Sequence, residues 1–150
     1  MADTFTNLLI HFVFSTKNRI PFLQEPLQER THEYIGGIVR EERGIPLEIG
    51  GMPDHVHVLA RIRPDRSVAE MTRTMKSASS KWVHQTFPAS ASFAWQAGYA
   101  AFSVSESQAG AVRRYIRNQA AHHARLSFKE ELISLLRKNR VEFDERYLWD

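Results

Sequence analysis

Apolar and polar positions change period several times along the chain, and each change marks an element. Residues 7–15 (NLLIHFVFS) are β-branched and aromatic and predict a strand, ended by Lys17-Asn18-Arg19 and Pro21. Over residues 25–43 the apolar spacing becomes helical, with Leu27, Tyr34, Ile35, Ile38 and Val39 on one stripe, and Gly44 and Pro46 stop the helix. Residues 47–49 begin a second strand, and Gly50-Gly51-Met52-Pro53-Asp54 has the composition of a turn. Residues 55–62 (HVHVLARI) alternate strictly, which predicts a third strand in a hairpin with the second. Ser67-Val-Ala-Glu70 is a capping box that opens a helix reaching Phe87, before Pro88. Residues 98–105 (GYAAFSVS) predict a fourth strand. Ser105 or Ser107 then caps a long helix to His123, and Ser127 with Glu130 caps a last helix to Asn139.

The order β-α-β-β-α-β-α-α begins as a ferredoxin-like split βαβ arrangement. The expected class is therefore α+β. A four-stranded antiparallel sheet would carry two helices on one face, leaving the other face to a long C-terminal helix and a final short one. At 150 residues the chain is one expected domain, 1–150, large enough to bury its own core. Cysteine is absent, which excludes disulfides, thiolate zinc sites and cysteine nucleophiles. No apolar run approaches the length of a membrane span, and the first residues do not form a secretion signal, so a cytoplasmic protein with no membrane partner is expected.

Charge changes this picture. The net charge is +3, but residues 71–129 contain eight basic residues and only one acid, Glu106, a local surplus of +7. Fifteen of the twenty basic residues are arginine, whose planar fork suits phosphate oxygens. A localised basic field of this kind points to a polyanion, most simply nucleic acid.

Two groups of residues could do chemistry. In His55-Val56-His57 both imidazoles leave one face of the strand, where they can hold a divalent cation or simply pack on the sheet. Tyr115 and Gln119 share a helical face with Val112, Ile116 and Ala120, so a phenol and an amide border a buried stripe. There Tyr115 can act as a nucleophile, or its ring can pack with the hydroxyl at the surface. If this helix crosses the His55/His57 face, Gln119 completes a His-His-Gln site with Tyr115 beside it.

MPDHVHVL, WQAGYAAFSVS and VRRYIRNQAAHH together resemble the HUH-type single-tyrosine transposases of single-stranded-DNA insertion sequences and their palindrome-associated relatives. The resemblance implies that His55, His57 and Gln119 bind Mg²⁺ or Mn²⁺, and that Tyr115, on a catalytic helix, is the nucleophile. It also implies cleavage and rejoining of single-stranded DNA through a 5′-phosphotyrosine link, with hairpins near the element ends as the recognised substrate. A homodimer is expected, although some palindrome-associated relatives are monomers. Arg113, Arg114 and Arg117 flank Tyr115 and could grip phosphates; Lys17, Arg19, Arg73, Lys76 and Lys81 are further candidates for DNA contacts. Trp82 and Trp95 fit a core role better than base stacking. His122 and His123 could approach the metal from the next helical turn, although helix-end solvation is the simpler reading; His11 fits a core position, and Asp54 a turn.

Two other functions compete. This topology also underlies noncatalytic single-stranded nucleic-acid binding modules, which present aromatic pairs where this chain has His55 and His57. A metal-dependent hydrolase using water would leave Tyr115 dispensable.

Overall fold

In the computed structural model, which describes residues 3–149, the elements follow the expected order. They are β1 (Leu8–Ser15), α1 (Leu27–Glu41), β2 (Ile45–Met52), β3 (His55–Ile62), α2 (Val68–Thr86), β4 (Ala100–Val104), α3 (Glu106–Arg117), α4 (Gln119–His123) and α5 (Phe128–Lys138). The four strands form one antiparallel sheet in the order β2-β3-β1-β4, as a split βαβ requires.

Strand alternation gives the sheet two different faces. Phe12 and Phe14 of β1 and Val56, Val58, Ala60 and Ile62 of β3 pack on one face against Ile35, Ile38 and Val39 of α1 and Met71 and Met75 of α2. On the other face Leu9 and Leu59 meet Ala109 and Ile116 of α3. Towards the β4 side of that face, Val13 and Phe102 are covered by Phe128 and Leu136 of α5. His11, His55 and His57 belong to this second face, in the seam between α3 and α5. The capping boxes at Ser67/Glu70 and Ser127/Glu130 both form, fixing where α2 and α5 begin.

Two boundaries differ from the expectation. Gly50 and Gly51 lie within β2 rather than in a turn, because β2 pairs along β3 as far as Met52 opposite His55. Gly50 also lets α3 approach: a Cβ there would stand 2.6 Å from the Ile116 carbonyl oxygen. The expected long helix through His123 is broken at Asn118 (φ −96°, ψ 25°), whose N–H bonds back to the Arg114 and Tyr115 carbonyls. Tyr115 therefore lies in the last turn of α3 and Gln119 begins α4.

Candidate active site

β3 delivers the two imidazoles. His55 and His57 are completely buried, and each has one ring nitrogen held from behind. Asp54 lies 2.7 Å from His55 Nδ1, and His11 Nε2 lies 2.8 Å from His57 Nδ1. That leaves Nε2 of both rings pointing into the seam. Such outer partners fix ring orientation at sites where histidine ligates a cation.

α4 and α5 close the seam. Gln119 Oε1 is 2.7 Å from His55 Nε2, and its amide donates to Glu131 Oε2 at 2.8 Å. Glu131 Oε1 sits 3.1 Å from His57 Nε2, 3.2 Å from His55 Nε2 and 3.0 Å from His123 Nε2. The Tyr115 hydroxyl donates to Glu131 Oε2. One ligand atom each from His55, His57 and Glu131 lie within 4.8 Å of one another. Two imidazoles and a buried carboxylate, with an amide oxygen beside them, are a donor set that suits a divalent cation.

The electrostatics follow from burial and from that one carboxylate. Burial pushes His55 down, but its bonds to Asp54, Glu131 and Gln119 outweigh this and raise it to about 9. His57 is lowered, because burial wins over the attraction of Glu131. Burial and then the neighbouring His57 drive His11 down to about 3. Burial alone would raise Glu131, yet the hydrogen bonds from His55 and His57 hold it well below the ordinary carboxylate range. Tyr115 is pushed well above the usual phenol value by burial and by the Glu131 carboxylate. Without added positive charge, this pocket keeps the phenol protonated.

A cavity of about 590 Å³ opens beside the phenol, lined by His11, Tyr115, His122 and Glu131 among others. That volume accommodates a nucleotide-sized ligand.

A family model described as IS200-like transposase matches residues 4–119, most of the chain. The chain belongs to the IS200-like transposase family. The ISDra2 transposase TnpA of Deinococcus radiodurans is 22% identical over 114 residues, which span 73% of this chain and 81% of that one. Among solved structures, a transposase of Deinococcus radiodurans R1 superposes with a TM-score of 0.66 at 22% identity, covering 79% of this chain and 95% of that one. A REP-associated tyrosine transposase bound to a REP hairpin superposes at 0.62 with 14% identity, covering 84% of this chain and 76% of that one. These likenesses establish the α+β fold of this IS200-like transposase.

Within the transposase, His55, His57, Tyr115 and Gln119 come together at one point of a single chain. Sequence reasoning missed Glu131 and favoured the wrong surroundings for His123, while His11 is the satisfied core residue and Asp54 the turn residue it expected. His123 is not solvating a helix end: it is nearly buried against Glu131 and Gln119. His11 and Asp54 hold the paired imidazoles. The signal for Glu131 was an acid on the apolar stripe formed by Phe128, Leu132, Leu135 and Leu136. Trp95 packs edge-on against Phe14 and Phe93, and Trp82 stacks on Tyr34.

The candidate phosphate-binding residues are spread more widely. Lys17, Arg73, Lys81 and Arg114 are exposed. Arg113 and Arg117 both reach Glu48 Oε1, at 3.4 Å and 3.2 Å. The Arg19 guanidinium lies over the Trp149 ring. Lys76 donates to the Gln96 and Gly98 carbonyls, so its ammonium ties the approach to β4 onto α2.

Proposed function

We propose that this transposase cleaves and rejoins single-stranded DNA through a 5′-phosphotyrosine intermediate, taking hairpin-bearing DNA as substrate. The observation that carries this reading is the meeting of the Tyr115 hydroxyl with the His55, His57 and Gln119 cluster in one buried seam. The hairpin in the REP-associated neighbour supports the choice of substrate.

In the cleavage step the Tyr115 oxygen forms a bond to the scissile phosphorus and loses its proton. The bond from phosphorus to the 3′ oxygen breaks, and that oxygen leaves as a hydroxyl after taking up a proton. In rejoining, a 3′-hydroxyl attacks the phosphotyrosine, the bond to Tyr115 breaks, and the phenol regains its proton. The number of phosphodiester bonds is conserved, so no high-energy cofactor is needed.

His55 and His57, with Gln119 beside them, are the residues to hold Mg²⁺ or Mn²⁺. A bound cation of this kind polarises phosphoryl oxygens and offsets the charge that develops on them. Asp54 and His11 orient the two imidazoles, and Glu131 accepts the hydrogen bond that aims the phenol. The adjoining cavity admits the strand, and Lys138 at its rim and exposed Arg114 on the Tyr115 helix offer positive charge on the same side of the sheet.

The test uses labelled single-stranded hairpin oligonucleotides from the flanks of the gene, with Mn²⁺ or Mg²⁺. The expected result is a covalent protein–DNA adduct. Tyr115→Phe should abolish the adduct, a loss of at least a hundredfold, while hairpin binding persists. Adduct formation by that variant would remove Tyr115 as nucleophile. Hairpin binding without cleavage in either metal would favour a noncatalytic binding module.

A further inference from the structure

The seam contains one residue, Glu131, of which the His-His-Gln scheme uses only the oxygen that faces the phenol. Glu131 lies on α5, beyond residues 4–119 that match the family model. Its side chain is 2% exposed. Its neighbour Glu130 is exposed and closes the capping box with Ser127, so the helix start does not require a second acid. A carboxylate in such a place must be compensated, and among the described residues no arginine or lysine reaches it. It is met by imidazole, amide and phenol.

The two carboxylate oxygens face different groups. Oε1 points to His55 Nε2, His57 Nε2 and His123 Nε2, at 3.2, 3.1 and 3.0 Å. Oε2 accepts from Gln119 Nε2 at 2.8 Å and from the Tyr115 hydroxyl. His55 and His57 already use Nδ1 on Asp54 and His11. Their remaining nitrogens therefore converge on the same oxygen from a fixed direction. Two oriented imidazole nitrogens and one carboxylate oxygen around a common point form a ligand set, and the other oxygen of that carboxylate holds the nucleophile.

We propose that Glu131 is a carboxylate bridge between cation and nucleophile, with Oε1 completing the His55–His57 ligand set and Oε2 positioning the Tyr115 hydroxyl. This rests on the reading above that the seam holds a divalent cation. Gln119 then braces Oε2 through its amide N–H while its own Oε1 stays beside the His55–His57 pair, and His123 braces Oε1. It gives the cation a hard oxygen ligand, which favours Mg²⁺ or Mn²⁺ over softer ions. It also ties the nucleophile to the cation through one rigid group, so that the two are positioned together.

The experiment is electron–nuclear double resonance on the full wild-type chain loaded with Mn²⁺ and free of DNA. One sample carries ¹⁵N-histidine and another ¹³C-carboxyl glutamate. Couplings to two imidazole nitrogens and to one glutamate carboxyl carbon are expected. In parallel, Mn²⁺ titration followed by the signal of the free ion should show at least a tenfold loss of affinity in Glu131→Gln. Glu131→Asp, which keeps the charge on a shorter arm, should fall between the two. Tyr115→Phe should bind Mn²⁺ within twofold of wild type, because Oε1 does not depend on the phenol.

Nitrogen couplings without the carbon coupling would overturn the bridge, as would wild-type affinity in Glu131→Gln or no Mn²⁺ uptake by the wild-type chain. Severalfold tighter binding in Tyr115→Phe would also overturn it, since cation and phenol would then compete for the carboxylate. The spectroscopy needs no substitution, so a misfolded variant does not decide the matter. A chain that shows the carbon coupling but forms no adduct removes the phosphotyrosine reading and keeps the bridge. A chain that forms the adduct without the coupling does the reverse.

Discussion

The carboxylate of Asp54, 2.7 Å from His55 Nδ1, fixes which nitrogen of that ring faces the seam. An amide in its place can satisfy the bond but cannot favour the same tautomer through charge. Losing an outer partner of a ligating histidine costs about 10- to 100-fold in metal affinity. Asp54→Asn should therefore bind Mn²⁺ about tenfold more weakly, measured by titration, while its thermal unfolding midpoint stays close to wild type. The His-x-His pair and the Tyr-x-x-x-Gln spacing were legible because each pair is set by the period of one short segment. Glu131 was not, because its place depends on how α5 returns across the sheet, and no local spacing encodes that; His123, one turn past Gln119, was legible only as the less favoured of two readings.

At the scale of elements, the alternation in HVHVLARI decides most of the architecture. It sends Val56, Val58 and Ala60 to the α1/α2 face and His55, His57 and Leu59 to the α3/α5 face. Element order and both capping boxes were legible for the same reason: they are local. The extent of β2 was not, since Gly50-Gly51 reads as a turn until β3 pairs with it. The break at Asn118 was also hidden, because the sequence from Val112 to His123 has no proline or glycine to mark it. Gly50 positions α3 by having no side chain beneath Ile116. Gly50→Ala should lower stability by about 1–3 kcal/mol, read from urea unfolding. It should also slow adduct formation, since any lift of α3 carries Tyr115 with it.

For the whole molecule, the +7 surplus across residues 71–129 is the quantity that bears on DNA. The structure divides those charges by what they already touch. Arg73 and Arg114 are exposed, whereas Lys76 is committed to two backbone carbonyls. Hairpin binding should weaken with added salt, and Arg73→Ala and Arg114→Ala should each reduce the log–log salt slope by about one. Lys76→Ala should leave the slope nearly unchanged and lower the unfolding midpoint instead, since it frees the segment before β4. Measured affinities at a series of salt concentrations check all three. The position of α5 has a practical bearing on where this protein can be cut. A chain trimmed after Gln119 would retain His55, His57, Tyr115 and Gln119 and every residue that the family model matches. It would lose the roof over Val13 and Phe102 and the only carboxylate inside the seam among the described residues. Its motif would be complete and its pocket open to water. The smallest working unit is thus bounded by what α5 covers, and expression fragments should be designed past Lys138.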